Sequence, residues 1–197
     1  MISLPCFTVK SSPVSFDEDV LRFLNGHRSS AATAFVRFVM HLGSPKMIAT
    51  GTVFGLVLVI AGRWYRPALA VFLAAPFAAL AANLLKDVFE RPRPPAELAL
   101  LTVGGFSMPS TEAARTSAAA MALLFGARWS SRLIRRCVAA GLAVALLAVG
   151  ASMVYLGAHW VTDVLAGWAL GLCVGAGFGW VCRSARRGVP LPRTGEG

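Results

Sequence analysis

Long apolar segments without charged residues recur along the chain. Five such windows contain no Lys, Arg, Asp or Glu: 47–62, 67–85, 116–127, 137–155 and 164–182. A helix needs roughly 20 apolar residues to cross the hydrocarbon core of a bilayer. Four windows reach that length with a few flanking residues. The third does so only if its helix starts near Ser110 and tolerates Glu112 and Arg115. The pattern predicts an all-α, polytopic membrane helical bundle with five transmembrane helices.

The N-terminal segment has a different pattern. Apolar residues recur at helical spacing in FDEDVLRFLNGHRSSAATAFVRFVMHLGS, but charged residues from Asp17 to Arg37 interrupt them. This pattern favours a pair of amphipathic helices lying in the membrane interface. A sixth, short transmembrane helix at 31–43 is the alternative. We therefore expect an interfacial segment (1–45), a membrane helical domain (46–182) and a disordered cytoplasmic tail (183–197).

Composition and charge support the membrane assignment. The chain is 56% hydrophobic and only 14% charged, with a mean hydropathy of +0.66, which is unlike a soluble protein. Its net charge of +10 could indicate a nucleic-acid partner, but the arginines cluster at 63–66, 128–136 and 183–193. With five spans, these clusters fall on one side of the membrane, and positively charged short loops mark the cytoplasmic side. Topology therefore explains the charge, and no nucleic-acid partner is expected.

The same topology places two other connections, 86–110 and 156–162, on the outer face of the cytoplasmic (inner) membrane. The first contains KDVFERPRPP, with Lys86, Arg91 and Arg93. Cations at the outer face run against the orientation rule, and arginine and lysine match phosphate oxygens in geometry and charge. Prolines restrict the backbone that carries these side chains. The loop therefore indicates an anion site, although a solvated basic connection is the simpler alternative.

The second connection leads into SMVYLGAHWVTDVLAG, where His159 and Asp163 are four residues apart. One helical turn would place them on the same face. Asp163 could then accept a hydrogen bond from one ring N–H, fix the tautomer and leave the other nitrogen free to attack. The spacing alone is weak evidence, because it often arises by chance and because histidines near membrane interfaces often only pack.

The order of these elements resembles a known family. The chain contains K-x6-R-P, then P-S, then S-x6-H-x3-D, at Lys86/Arg93/Pro94, Pro109/Ser110 and Ser152/His159/Asp163. It therefore resembles the type-2 phosphatidic acid phosphatase superfamily, which includes the vanadium haloperoxidases and has the signature K-x6-R-P, P-S-G-H and S-R-x5-H-x3-D. The resemblance implies that His159 is a nucleophile forming a phosphohistidine, with Asp163 as its partner. It also implies that Lys86, Arg93 and Ser110 hold the phosphoryl oxygens, without a metal or cofactor.

Two motifs depart from the family pattern. Glu112 stands where the family has its acid histidine, and Met153 stands where it has a phosphate-binding arginine. A glutamate with an ordinary pKa of about 4.3 is mostly ionised at neutral pH, but burial beside a phosphate would favour its acid form. Arg115 is a substitute cation or simply the ion-pair partner of Glu112. The remaining candidate phosphate ligands are Thr111 and Ser152. Alternatively, PSTE is only a helix start capped by Ser110 or Thr111.

The resemblance implies a phosphatase for lipid phosphates or pyrophosphates at the outer leaflet. Polyprenyl pyrophosphates, phosphatidic acid and phosphatidylglycerol phosphate are all compatible substrates, and membrane lipids are the surrounding partners. A catalytically attenuated or inactive lipid-phosphate binder or transporter is the main alternative, and a vanadate-dependent oxidase is a third. Oligomeric state has no signature in the sequence. Glycines at every fourth position from Gly167 to Gly179, and alanines at 113–120, predict close helix packing.

Overall fold

A computed structural model describes residues 11–42 and 65–184 of the chain. These two ranges contain six α-helices, one 3-10 turn and no β-strand. In chain order they are α1 (Ser15–Gly26), α2 (Ser30–Leu42), α3 (Tyr65–Phe89), the 3-10 turn Ala96–Leu98, α4 (Thr111–Gly126), α5 (Arg132–Tyr155) and α6 (Val161–Ser184). The predicted all-α fold is confirmed.

Three of the helices are long and apolar enough to cross a membrane: Arg66–Phe89, Arg132–Tyr155 and Val161–Ser184. Helix α4 starts at Thr111, directly after Ser110, and has 16 residues. At about 1.5 Å per residue it rises about 24 Å, less than the roughly 30 Å of a hydrocarbon core. The window at 47–62 lies outside the described residues. The protein is therefore a multi-helix membrane protein, and the number of five spans stays a prediction.

The N-terminal segment forms the two expected helices, α1 and α2. Helix α1 packs against α5, α6 and the 3-10 turn, and it buries Asp17 and Leu21. Arg28, between the two helices, donates to the carbonyls of Leu98 (2.9 Å) and Tyr155 (2.6 Å). Helix α2 has 13 residues, which is short for a membrane span. The interfacial location of the pair stays a prediction.

The core between α3, α4 and α6 consists of small residues. Alanines at every fourth position of α3 pack on three alanines of α4; they are Ala70, Ala74, Ala78, Ala82, Ala114, Ala118 and Ala122. The glycine stripe of α6 faces α4, as the sequence predicts. A Cβ atom at Gly167 would lie 2.5 Å from the Ser110 carbonyl oxygen, and one at Gly171 would overlap the Ala114 carbonyl. The two backbones therefore approach closely only because these positions lack side chains.

The two connections predicted to face outward meet at one end of the bundle. Leu100 donates its backbone N–H to the Leu156 carbonyl at 2.8 Å, and Ser110 donates to the Asp163 carbonyl at 3.0 Å. Gly157 has a φ of +71°, and a Cβ there would lie 2.7 Å from the Ala99 Cα atom. Only glycine adopts this conformation and tolerates this approach without strain. These contacts bring the sequence motifs of both connections together.

Candidate active site

Two predicted cations bind the backbone of one loop. Lys86, in the last turn of α3, donates from Nζ to two carbonyls of the loop 104–107, at 3.0 and 3.3 Å. Arg93 donates from Nε to two other carbonyls of that loop, at 3.1 and 3.0 Å. Its Nη1 donates to the Ala158 carbonyl at 2.7 Å. Lys86 and Arg93 therefore bind consecutive carbonyls of the same stretch of backbone.

His159 lies between Arg93 and Asp163. Its Nε2 atom is 3.4 Å from Arg93 Nη1, and its Nδ1 atom is 3.4 Å from Asp163 Oδ2. Helix α6 begins at Val161, so His159 precedes the helix, whereas the spacing suggested that it shares a helical face with Asp163. Asp163 lies in the first turn and accepts the backbone N–H of Trp160 at 2.9 Å. The imidazole and the carboxylate therefore meet across the start of the helix.

Burial lowers the pKa of His159 below its ordinary value of 6.5. The hydrogen bond to Asp163 opposes this shift, while the positive charges of Arg93 and Lys86 add to it. Because desolvation penalises the charged ring, His159 is neutral at pH 7. With its proton on Nδ1, donated to Asp163, the ring presents an unprotonated Nε2 toward Arg93.

Ser110 caps α4 and contacts Met153. Its hydroxyl oxygen accepts the N–H of Ala113 at 3.4 Å and donates to Met153 Sδ at 3.4 Å. Ser110, not Thr111, is thus the cap. Met153 is 1% exposed and packs in an apolar cluster with Val154. The place of the family's arginine is therefore filled by a buried thioether.

Glu112 and Arg115 form an ion pair on the first turns of α4. Across the described ranges, the Glu112 carboxylate bonds to Arg115 and to none of Lys86, Arg93 and His159. Thr111 donates to Asn83 Oδ1 at 2.8 Å. Within the described residues, the Glu112 carboxylate is therefore engaged by a cation of its own helix.

The Ser152 hydroxyl bonds within its own helix. It is buried and donates to the Ala148 carbonyl, one turn earlier in α5, at 2.6 Å. To hold a phosphoryl oxygen, the hydroxyl would have to exchange this bond for one to the substrate.

The sequence pattern assigned no role to Asp17 and counted Arg91 only among the three cations of an anion-binding loop. Arg91 is buried and forms ion pairs with Asp163 (2.7 Å) and Asp17 (2.6 Å). The motif K-x6-R-P drew attention to Arg93 instead. Asp17 had a signal in the sequence, because it lies three and four residues before Val20 and Leu21 and so occupies the apolar face of α1.

The fold and site together define a helical membrane protein with a neutral imidazole beside two cations, an arrangement suited to phosphoryl groups. The chain belongs to the PAP2 superfamily, whose sequence profile matches residues 67–187. This is the family that the motifs indicated.

Two solved structures share the fold. One is the first transmembrane PAP2-type phosphatidylglycerolphosphate phosphatase, from Bacillus subtilis: TM-score 0.74, 24% identity, 91% of this chain and 88% of the other covered. The other is Aquifex aeolicus LpxE: TM-score 0.71, 21% identity, 86% of this chain and 98% of the other covered. A search of curated proteins gave no significant match.

Proposed function

We propose that the protein is an integral membrane phosphatase that hydrolyses a lipid phosphate or pyrophosphate through a phosphohistidine on His159. The observation that carries this proposal is the position of the His159 ring, with Nε2 toward Arg93 and Nδ1 toward Asp163. PAP2 membership and the similar fold of a phosphatidylglycerolphosphate phosphatase support it.

In the first step, the Nε2 lone pair of His159 attacks phosphorus, and the bond between phosphorus and the lipid oxygen breaks. Asp163 holds the proton on Nδ1 throughout. Water then attacks the phosphohistidine, releases phosphate and restores the ring. Lys86, Arg93 and the Ser110 hydroxyl stabilise the equatorial oxygens, which carry the charge of the transition state. Phosphate oxygens would replace the neutral carbonyls that the two cations now bind, because charge-assisted hydrogen bonds are stronger.

The departing lipid oxygen needs a proton if it leaves as an alkoxide. Glu112 would supply it only after releasing Arg115. A pyrophosphate avoids this requirement, because a departing phosphate is already a stable anion. The ion pair therefore favours pyrophosphate over monoester substrates, and phosphatidic acid and phosphatidylglycerol phosphate are the monoesters to compare.

The arginine distribution indicates which side of the membrane the His159 site faces. Arg128, Arg132, Arg135 and Arg183 surround a cavity of about 700 Å³ at the opposite end of the bundle from His159. Short basic connections mark the cytoplasmic side. This arrangement supports a cytoplasmic membrane location with His159 facing the exterior and the outer leaflet.

A second function is favoured by two contacts. Met153 lies in an apolar cluster, and Glu112 is paired with Arg115. A protein with these replacements could bind a lipid phosphate without turning it over. The two functions differ in what His159 does, since binding alone does not need a nucleophile.

Phosphate release from purified protein in detergent separates the two functions. Phosphatidic acid, phosphatidylglycerol phosphate and a polyprenyl pyrophosphate would each be tested from about pH 4 to 8. The enzyme is supported if release is lost in His159→Ala and only weakened in Glu112→Gln. Absence of release from all three lipids, together with binding that depends on Lys86 and Arg93, would establish the binder instead.

A further inference from the structure

A buried chain of charged groups connects α1 to the candidate site. Asp17 Oδ2 accepts from Arg91 Nη2 at 2.6 Å and from the Thr162 hydroxyl at 2.7 Å, and Asp17 Oδ1 accepts the Thr162 N–H at 3.0 Å. Arg91 Nη1 donates to Asp163 Oδ1 at 2.7 Å. Asp17, Arg91 and Asp163 are 1%, 2% and 0% exposed. The network is therefore shielded from water, and charge interactions are stronger in the protein interior than in water.

The network has one cation between two anions. Burying an unpaired charge is costly, so removing one partner leaves a strong local imbalance. With Asp17 and Asp163 ionised and Arg91 protonated, the three groups carry a net charge of −1. That excess lies beside the His159 ring, because Asp163 contacts the ring directly.

We propose that Asp17 and Arg91 are positioning residues for the His159–Asp163 pair, fixing the Asp163 carboxylate and supplying the negative charge behind it. This inference rests on the proposed role of His159 as the nucleophile. Asp17 lies outside the region matched to the PAP2 superfamily, residues 67–187, so the family motifs do not assign it.

The geometry explains how the positioning acts. Arg91 engages Oδ1 of Asp163, which leaves Oδ2 to accept the Trp160 N–H and to face His159. The carboxylate therefore cannot rotate without losing the short bond to Arg91. When His159 Nε2 takes up a phosphoryl group while Nδ1 keeps its proton, the ring becomes positively charged. This positive charge on the ring is absent before the attack. The net negative network therefore stabilises the phosphorylated ring more than the free ring.

The charged groups facing His159 come from three elements. Lys86 comes from α3, Arg93 from the loop that follows it, and Asp163 from α6. Asp17 and Arg91 lie behind Asp163. Removing the negative charge of Asp17 should destabilise the protonated ring and lower the His159 pKa. Removing the positive charge of Arg91 should do the opposite.

The test is the titration of His159 followed by NMR in detergent micelles without substrate. The chain has three histidines, so ¹⁵N-histidine labelling gives few resonances, and His159→Gln assigns the one in question. We expect Asp17→Asn to shift the titration to lower pH and Arg91→Gln to shift it to higher pH. Asp19→Asn is the matched control, because it makes the same change at an exposed position of α1 and should shift nothing.

Opposite shifts support the proposal, since loosened packing would not change sign between variants. A His159 titration that is unchanged in Asp17→Asn overturns it. If Arg91→Gln does not fold, Arg91→Lys replaces it. Lysine keeps the positive charge but cannot bridge both carboxylates as the guanidinium does, so this variant should titrate like wild type and turn over more slowly. A displaced titration in Arg91→Lys would contradict the proposal.

The activity arm uses release of phosphate from a polyprenyl pyrophosphate, the substrate class that the Glu112–Arg115 ion pair favours. Asp17→Asn should lower kcat roughly tenfold or more with a much smaller change in KM, because the stabilisation that it removes belongs to the charged intermediate. Asp19→Asn should match wild type. An unchanged kcat in Asp17→Asn contradicts the inference. If wild type releases no phosphate from this or any tested lipid, the proposed function fails, while the NMR shifts still decide whether the network controls His159.

Discussion

The close contact between α4 and α6 makes a quantitative prediction for Gly171→Ala. A methyl group at this position would overlap the Ala114 carbonyl and the Ser117 hydroxyl. The carbonyl belongs to the α4 backbone, so relief requires the helices to separate. Overpacking of this kind costs about 1–3 kcal/mol, while replacing glycine by alanine inside a helix gains about 0.5–1 kcal/mol. We therefore expect a net decrease of about 0–2.5 kcal/mol in unfolding free energy.

Helix α6, which carries Gly171, also offers the control. Gly177 has nothing within 4 Å of an added Cβ, so Gly177→Ala should keep only the helix-propensity gain of about 0.5–1 kcal/mol. Both variants would be unfolded in detergent with increasing SDS, followed by circular dichroism. Because the propensity gain is common to both, the two should differ by the overpacking cost of about 1–3 kcal/mol.

Overpacking between α4 and α6 should also disturb the candidate active site. Gly167, one turn before Gly171, faces the Ser110 carbonyl, and Ser110 in turn is bonded to the Asp163 backbone. Gly167→Ala should therefore reduce phosphate release as well as stability. Equal stability of Gly171→Ala and Gly177→Ala would refute the reasoning, because it would mean that the two backbones are not in contact.

Three further predictions concern the site and its surroundings. Met153→Arg places a cation in an apolar cluster, so the unfolding temperature of the variant should be lower than that of wild type in the absence of ligand. Millimolar inorganic phosphate should partly restore it. No recovery would mean that the new side chain does not reach an anion site. Because burial lowers the pKa of His159, the unfolded state binds the proton first, and stability should fall as the pH drops below 6.5. The unfolding temperature should depend less on pH in His159→Gln than in wild type. Equal pH dependences would contradict the lowered pKa of His159. Arg28→Ala removes donors to the Leu98 and Tyr155 carbonyls, so hydrogen exchange should increase in α1 and α2; unchanged exchange would show that Arg28 does not hold them.

The bundle was accessible from sequence because its signals are local. Charge-free windows predict α3, α5 and α6, and the glycine spacing from Gly167 to Gly179 predicts which face of α6 meets another helix. The partner's alanines are equally visible. The length of α4 was harder to judge, since Glu112 and Arg115 interrupt the apolar pattern where the helix begins.

The site depends on contacts that sequence spacing does not encode. The motif order predicts that Lys86, Arg93 and His159 belong to one site, but not that Arg91 binds Asp163. Two arginines separated by one proline look equivalent until the backbone direction is known. The ion pair of Glu112 with Arg115 was one of two alternatives, because i,i+3 spacing permits the contact without requiring it. The contact of Ser110 with Met153 had no signal.

The buried position of Asp17 has a consequence for the order of events during synthesis. Its partners Arg91 and Thr162 follow it by 74 and 145 residues. When α1 leaves the ribosome, neither partner exists; Arg91 is made first, and the full set of Asp17 contacts can form only after α6 has been made. The long-range contacts around Asp163 therefore form last. A nascent chain therefore lacks the complete network of Asp17, Arg91, Thr162 and Asp163 until α6 has entered the bilayer.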